Sequence, residues 1–314
     1  MRMSPISPFH LTFLLFDGFS NMVLASVIEP LRAARDLSGR RVFSWQTATL
    51  DGTQAHSSSG LAIGVDLPLD RIGATDALVV VAGYGVRDQM RREVLQAVLT
   101  KARGLPMIVG LDTGAWLLAG TGLLTGRRAA VHWMEREALA EAFPEIEVVD
   151  APFVTCGNIV TCGGARDVLE WSLDLIGRRT DEALRYDVAT MFGGIVASVT
   201  QRPDQMTNRA LPPAMQRAVQ AMRQTTEAPV PLIRIAEAAA VSERTLDRLF
   251  HAHLGMAAGR YYRLIRLTHA HALARETTLT LAEIAVRTGF ASASTLARAY
   301  RAHFGHSLGQ SRQN

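Results

Sequence analysis

The stretch PMIVGLDTGAWLLAGTGLL, from Pro106 to Leu124, joins a short apolar run to a helical pattern through a tight polar turn. An apolar run of this length is typical of a buried strand, and a helix that starts directly after it is typical of a parallel α/β sheet. In enzymes with such sheets, the apex of this turn often carries a Ser or Cys nucleophile. Here the apex residue is Asp112. The stretch predicts an α/β fold and leaves two alternatives, a catalytic turn with an unusual residue or a ligand pocket without catalysis.

Strand and helix patterns alternate through the first 180 residues. The predicted strands are FHLTFLLF, FSWQTATL, DALVVVAG and PMIVGL, followed by two short strands in FVTCGNIVTCGG around a Gly157-Asn158 turn. The predicted helices span Asn21 to Asp36, Arg87 to Arg103 and Ala165 to Ile176. This alternation predicts a flavodoxin-like, mostly parallel sheet with helices on both faces.

Length and composition are those of a globular protein with two or three domains. Of the 314 residues, 48% are apolar and 20% are charged, which is ordinary for a protein that folds in water. The apolar run LTFLLF near the N-terminus is too short to span a bilayer and is followed closely by Asp17. We therefore expect a cytoplasmic protein with no membrane partner.

Two cysteines, Cys156 and Cys162, lie close together in the predicted strand pair. Two thiols in a chain of this length favour a reducing compartment over a disulfide framework. No histidine stands at a metal-ligand spacing from them, so we interpret both as small core residues. We expect no metal and no cofactor.

Positive charge is concentrated towards the C-terminal end. From position 211 onward the chain has 13 arginines and 6 acidic residues, whereas the first 210 residues carry 20 basic and 23 acidic side chains. Six of the nine histidines also lie in the last third. A basic segment favours an anionic partner, typically nucleic acid, although a solvated basic face is a common alternative.

The last third contains an internal repeat. IAEAAAVSERTLDRLFHAHLG, from Ile235 to Gly255, matches IAVRTGFASASTLARAYRAHFG, from Ile284 to Gly305, with one extra residue in the second turn. Each copy has a short helix, a turn, a serine that can cap the next helix, and an amphipathic helix ended by glycine. Thr280 and Glu283 form a capping-box pattern in the second copy. This anatomy predicts two helix-turn-helix units.

Both copies place apolar residues on one face of the second helix and basic or polar residues on the other. Most single helix pairs bind nothing, but a repeat with basic outer faces in both copies favours DNA binding. The predicted DNA-contacting residues are Ser242, Arg244, Thr245, Arg248, Ser292, Ser294, Thr295 and Arg298.

The segments VSERTLDRLFHAHLG, YYRLIRLTHAHALARETTLTLAEIAVRTGFAS and RAYRAHFG resemble the AraC/XylS family of bacterial transcription regulators. The resemblance covers roughly residues 215–312. It implies two helix-turn-helix units joined by a long helix, here around Tyr261 to Arg275, with recognition helices in successive major grooves. Promoter DNA and RNA polymerase are the implied partners. The chain departs from the family in lacking a proline after each LG or FG, and in having Leu296 where an aromatic residue is usual.

The N-terminal part resembles the PfpI/ThiJ superfamily, which is related to class I glutamine amidotransferases. FDGFSNMVLASVIEPLRAAR, VGLDTGAWLLAGTGLLTGRRAAVHW and IVTCGGARDVLEWSLDLI carry the resemblance, and they match the GlxA-like subgroup that is fused to AraC-type domains. Catalytic relatives have a Cys at the strand-to-helix turn, an acid from the first helix beside it, and a later His. Asp112, Glu29 and His132 occupy the matching positions here.

Three interpretations of Asp112 follow. A carboxylate is a poor substitute for a thiolate in acyl chemistry, which argues against an enzyme. A structural alternative is that Asp112 caps the following helix. In the third interpretation, Asp112 and Glu29 share a cleft at the carboxyl ends of the strands and bind a cation that relieves their repulsion.

Aromatic side chains can hold an ammonium group by their π-faces, and Trp116, Trp133 and Tyr84 are candidates, although each alone fits a core position as well. Chains with DTGA at this turn resemble regulators of carnitine, betaine and arginine catabolism, which implies a cationic or amino-acid-like effector. The predicted effector-binding residues are Glu29, Asp112, Trp116, His132 and Trp133.

These observations predict a sensor domain at 9–180, a helical linker at 181–214 and a DNA-binding domain at 215–312. The favoured function is a ligand-responsive transcription regulator. The alternatives are a hydrolase or amidotransferase-type enzyme fused to a DNA-binding domain, and a regulator whose N-terminal domain only dimerises or contacts a partner. The family resemblance implies a homodimer formed through the N-terminal domain.

Overall fold

A computed structural model describes residues 7–192 and 212–310. Its internal contacts divide these residues into an N-terminal unit, 7–33 and 41–175, and a C-terminal unit, 34–40, 176–192 and 212–310. No helix among the described residues is long and apolar enough to cross a bilayer. In the same ranges, no group of three or more His, Cys, Asp or Glu side chains is placed to hold a metal ion.

The first part of the chain folds into eleven strands and five helices within the described residues. In chain order these are β1 (Phe9–Leu15), α1 (Asn21–Ser38), β2 (Phe43–Thr49), β3 (Ala55–His56), β4 (Ala62–Ile63), β5 (Leu67–Pro68), β6 (Ala77–Ala82), α2 (Arg92–Ala102), β7 (Met107–Asp112), α3 (Gly114–Gly120), β8 (Arg128–Ala129), α4 (Arg136–Ala142), β9 (Glu147–Val148), β10 (Phe153–Cys156), β11 (Ile159–Cys162) and α5 (Ala165–Arg179).

The seven strands of the main sheet lie in the order β10-β11-β7-β6-β1-β2-β5. Adjacent strands run parallel, except that β10 pairs antiparallel with β11 at the edge. Central strand β6 is buried along its whole length, as expected for a strand covered on both faces. The predicted α/β fold is confirmed, because continuous apolar runs form the central strands and helices connect them.

Several helix boundaries differ from the prediction. Residues Val86–Gln89 form a short 3₁₀ turn, and α2 begins only at Arg92, so the helix predicted from Arg87 starts five residues too early. The helix predicted to end at Ile176 continues as α5 to Arg179. Arginines in its last turn interact favourably with the helix dipole, which supports the extra turn.

The remaining described elements are all helical. They are α6 (Glu182–Met191), α7 (Pro213–Gln224), α8 (Leu232–Ala238), α9 (Glu243–Leu254), α10 (Ala258–Glu276), α11 (Leu281–Arg287) and α12 (Ala293–Phe304). The helical C-terminal region is therefore confirmed. Of the predicted linker 181–214, residues 193–211 lie outside the described residues, and most of the preceding part forms α6.

The C-terminal unit has two hydrophobic cores, and α10 contributes to both. Tyr261 near the start of α10 lies in the first core, with Leu246 and Phe250 of α9. Ala270 farther along α10 lies in the second core, with Tyr300 of α12. One continuous helix thus supports both helix-turn-helix units.

Candidate ligand cleft and nucleic-acid interface

The turn after β7 holds Asp112 in a left-handed backbone conformation, with φ of 59°. Aspartate and asparagine tolerate this region better than most residues. The Asp112 amide donates to the Gly163 carbonyl at 3.2 Å, and the Asp112 carbonyl accepts from the His132 amide at 3.2 Å. Thr113 Oγ1 donates to the Gly83 carbonyl at 2.8 Å. Neighbouring segments on both sides therefore fix the position of this unusual turn.

Two glycines allow the backbone segments around the turn to approach one another closely. A Cβ on Gly83 would lie 2.1 Å from the Gly18 carbonyl oxygen, and a Cβ on Gly114 would lie 2.5 Å from the Val80 carbonyl oxygen. No side chain fits at either distance, so glycine is required at both positions.

An open cleft of about 480 Å³ lies above this turn. Gly18 follows β1, Gly83 follows β6 and Asp112 ends β7, so the cleft opens at the carboxyl ends of three adjacent parallel strands. Open α/β sheets bind ligands at this edge. Tyr84 and Met134, both largely exposed, also line the cleft.

The cleft is lined by both acidic and basic side chains. Asp112 is only 8% exposed, and burial, with a smaller contribution from the negative charge of Glu135, raises the pKa of its carboxyl to about 7. Glu135 accepts a hydrogen bond from the Arg87 guanidinium at 2.7 Å. The same guanidinium lies 4.5 Å from the centre of the Trp116 ring. The cleft therefore contains a largely buried carboxyl with a raised pKa, close to the ion pair of Glu135 and Arg87.

The five predicted effector-binding residues are not all brought together. Asp112 and His132 line the cleft. Glu29 forms an ion pair with Arg32 at 2.7 Å and is not among the lining residues. The acid that acts electrostatically on Asp112 is instead Glu135, in the 3₁₀ turn Trp133–Glu135.

The two predicted tryptophans also lie apart from the cleft lining. Trp116 is buried and packs edge-on against Phe143, with ring centres 5.9 Å apart. Trp133 is 67% exposed and its ring lies 5.7 Å from that of His132. Trp116 therefore contributes to the cleft indirectly, through its ring contact with the Arg87 guanidinium.

Sequence reasoning missed Arg87 and Glu135 as site residues. Glu135 stands three residues after His132 at the start of a helical pattern, and that proximity was the available indication. The interpretation of Asp112 as a helix cap is wrong. Thr113, not Asp112, holds the N-cap position of α3, and the Thr113 side chain makes no capping hydrogen bond.

In the C-terminal unit, α9 and α12 begin in the same way. Ser242 Oγ accepts a hydrogen bond from the Thr245 amide at 3.2 Å, and Ser292 Oγ accepts one from the Thr295 amide at 3.2 Å. Both helices have twelve residues and end at a left-handed glycine. The predicted serine caps and the capping box at Thr280 are present.

The predicted DNA-contacting side chains lie on matching outer faces of α9 and α12. Leu246 and Leu296 are fully buried, which fixes the inward face of each helix. The predicted residues that are exposed are Ser242, Arg244, Arg248, Ser292, Ser294 and Arg298, and Thr245 and Thr295 are partly buried. Each helix thus presents an exposed arginine and a serine-capped N-terminus on one side.

The two turns of the repeat both need a left-handed residue. Ala240 has φ of 57° in the first turn, and Gly289 has φ of 66° in the second. Arg266 of α10 donates to the Thr288 carbonyl at 2.8 Å and lies 4.3 Å from the Phe290 ring centre, so α10 holds the second turn in place.

The paired helix-turn-helix units place the chain in the class of DNA-binding regulators, and a parallel α/β domain with an open cleft precedes them in the sequence. The family model described as "Helix-turn-helix domain" matches residues 235–314, and that described as "DJ-1/PfpI family" matches residues 10–178. The chain belongs to the AraC-type, GlxA-like transcriptional regulators, in which a DJ-1/PfpI domain precedes the DNA-binding domain.

Individual relatives are similar in sequence over most of the chain. The HTH-type transcriptional regulator GbdR of Pseudomonas aeruginosa is 34% identical over 308 residues, covering 95% of this chain and 83% of GbdR. The HTH-type transcriptional regulator GlxA of Rhizobium meliloti is 34% identical over 307 residues, covering 96% of this chain and 94% of GlxA. A crystal structure of an AraC family transcriptional regulator from Pseudomonas putida matches with a TM-score of 0.53 and 25% identity, covering 59% of this chain and 100% of that one.

Proposed function

We propose that this DNA-binding regulator responds to a small cationic or amino-acid-like metabolite, which binds without chemical change in the cleft around Asp112. The observation that carries the proposal is a largely buried carboxyl on a left-handed turn, with its pKa raised to about 7 beside a second carboxylate. Such unusual groups are concentrated at functional sites.

A cation is the ligand charge that this arrangement favours. Burial and Glu135 both disfavour the ionised form of Asp112, and a bound ammonium group would favour it. Arg87 lies on the same cleft, and its guanidinium, which donates to Glu135, can also donate to a ligand carboxylate. A zwitterion fits best, with its ammonium near Asp112 and its carboxylate near Arg87.

The enzyme alternative is less well supported. By resemblance, Asp112 stands where catalytic relatives have a cysteine, and a carboxylate is a poorer nucleophile than a thiolate for acyl chemistry. The chain's two cysteines lie in β10 and β11, and neither lines the cleft. We therefore propose a sensor without catalytic activity.

Thermal denaturation of the full chain with L-arginine, carnitine and glycine betaine, and with acetate as an anionic control, tests the proposal. A ligand that binds only the folded state raises the unfolding temperature. For a cation that binds ionised Asp112, the affinity rises about tenfold between pH 6 and pH 8, because the ionised fraction rises through the pKa. Binding of a cation with no pH dependence across this range would contradict the role given to Asp112.

We also propose that the regulator forms a homodimer through its N-terminal unit and acts on RNA polymerase at promoter DNA. The family membership supports both partners. Sedimentation of the full chain and transcription from a template with a selected binding site test them separately.

A further inference from the structure

Helix α6 lies outside the region matched by the helix-turn-helix family model, yet it packs into the first core of the C-terminal unit. Ala183 is fully buried in that core, and Tyr186 packs against it. The helix also contacts α9, the recognition helix of the first helix-turn-helix unit. Asp181 Oδ1 accepts a hydrogen bond from the Leu184 amide at 2.8 Å, so α6 has its own N-terminal cap.

Asp187 connects α6 to two helices of the DNA-binding region. Its side chain is 13% exposed, and its Oδ1 accepts a hydrogen bond from the Tyr261 hydroxyl of α10 at 2.7 Å. The Arg223 guanidinium of α7 donates to the same oxygen at 3.2 Å. Burying a carboxylate is costly unless it is paired, and here two donors from different helices partner it.

Tyr261 carries this connection directly to the recognition helix. Its ring is fully buried, and its centre lies 5.3 Å from the ring centre of Phe250 on α9. A second contact joins the same two helices, because Asp247 of α9 accepts a hydrogen bond from the Ala258 amide at the start of α10, at 2.9 Å. A shift of the Tyr261 hydroxyl therefore moves a ring that packs on α9.

We propose that α6 is the first helix of the DNA-binding unit, and that Asp187 is a positioning residue that orients α9 for sequence reading through Tyr261. Asp187 is too buried to contact DNA itself, so its effect on DNA binding passes through α9. The proposal requires only DNA binding by the helix-turn-helix units and is independent of any ligand in the cleft.

Two hydroxyl deletions on the same helix provide a matched test. Tyr261→Phe removes the hydrogen bond to Asp187, whereas Tyr262→Phe removes a hydroxyl that pairs with Thr225 and accepts from the Val230 amide within the same core, two residues outside α6. Both keep the ring. The probe is a DNA duplex selected from a random library by the wild-type full-length chain, and the measurements are affinity, footprint and amide hydrogen exchange of α6.

We expect Tyr261→Phe to weaken binding to the selected duplex about three- to tenfold, since a hydrogen bond to a charged group is lost. Footprint protection of the DNA should fall only in the subsite read by α9, and binding to unrelated DNA should be unchanged. Amide hydrogen exchange in α6 should become faster. Asp187→Asn keeps an acceptor for Tyr261 and should lie closer to wild type. Equal losses in Tyr261→Phe and Tyr262→Phe, an unchanged footprint, or rapid exchange of α6 in the wild type would each overturn the proposal.

Discussion

Replacing Asp112 with asparagine tests the cleft through protein stability, without knowledge of the ligand. Asparagine has nearly the same shape and tolerates the left-handed conformation, so the turn should stay intact. What changes is the charge. In the wild type, the folded state must hold an ionised, desolvated carboxyl above pH 7, and the variant removes that cost.

The size and sign of the effect follow from the pKa. The pKa of the Asp112 carboxyl rises from 3.8 to about 7 on folding, so the folded state binds the proton more tightly than the unfolded state. Wild-type stability therefore falls as the pH rises through this interval. At about 1.4 kcal/mol per pH unit, the variant should gain about 4 kcal/mol over the wild type above pH 7 and nothing below pH 4. For a domain of this size that corresponds to roughly 8–16 °C in unfolding temperature.

Scanning calorimetry of the full chain at pH 4.5 and pH 8 measures the difference. Asp88→Asn, an exposed residue on the same cleft, is the matched control for the change in net charge and should show little effect at either pH. Asp112→Ala should raise the unfolding temperature at pH 8 by less than Asp112→Asn does, because alanine is strained at positive φ. Equal unfolding temperatures for Asp112→Asn and wild type at pH 8 would refute the electrostatic account of this turn.

Three further predictions concern other parts of the chain. Arg248→Ala and Arg298→Ala should each weaken binding to a selected duplex by about 1–3 kcal/mol if the arginine reads a base edge, and footprints should show losses in different subsites; losses in the same subsite would contradict two separate insertions. Ala240→Gly should stabilise the chain by about 0.5–1 kcal/mol in urea unfolding, because glycine adopts positive φ without strain. Gly289→Ala should destabilise the chain by about 2 kcal/mol or more, because a Cβ would clash with a neighbouring proline ring. Similar effects of the two changes would be inconsistent with this reasoning. Glu135→Gln should lower the pKa of the turn carboxyl, which a shift to lower pH in its titration by infrared spectroscopy would show and an unchanged titration would disprove.

The sheet and the helix-turn-helix repeat could be predicted because local patterns define them. Buried parallel strands are continuous apolar runs, and each recognition helix begins at a serine cap and ends at a glycine. The start of α2 was missed because its N-cap is Arg91, whose side chain makes no capping hydrogen bond, so no residue type marks the boundary.

The cleft was predicted only in part, because its key contact is distant in sequence. Asp112 and Glu135 lie 23 positions apart, and only the folded loops bring them together. The placement of Glu29 could have been derived from helix geometry. Val27 and Leu31 are buried, and Glu29 is two positions from each, which places it on the opposite side of the helix. Glu29 was placed in the cleft because it matches the acid of the first helix in catalytic relatives, and this helix geometry contradicts that placement.

The shared helix α10 has a consequence for the spacing of bases in the operator. Its 19 residues span about 28 Å at 1.5 Å per residue, and both cores are built on this single rod. We therefore expect α10 to set the separation of α9 and α12, on a scale comparable with the roughly 34 Å of one turn of DNA. One inserted base pair between the two subsites would displace them along the DNA axis and rotate them around it, and we expect a single continuous helix to follow neither change. For one copy of this protein, the number of bases between the subsites is as much a part of the recognised sequence as the bases themselves.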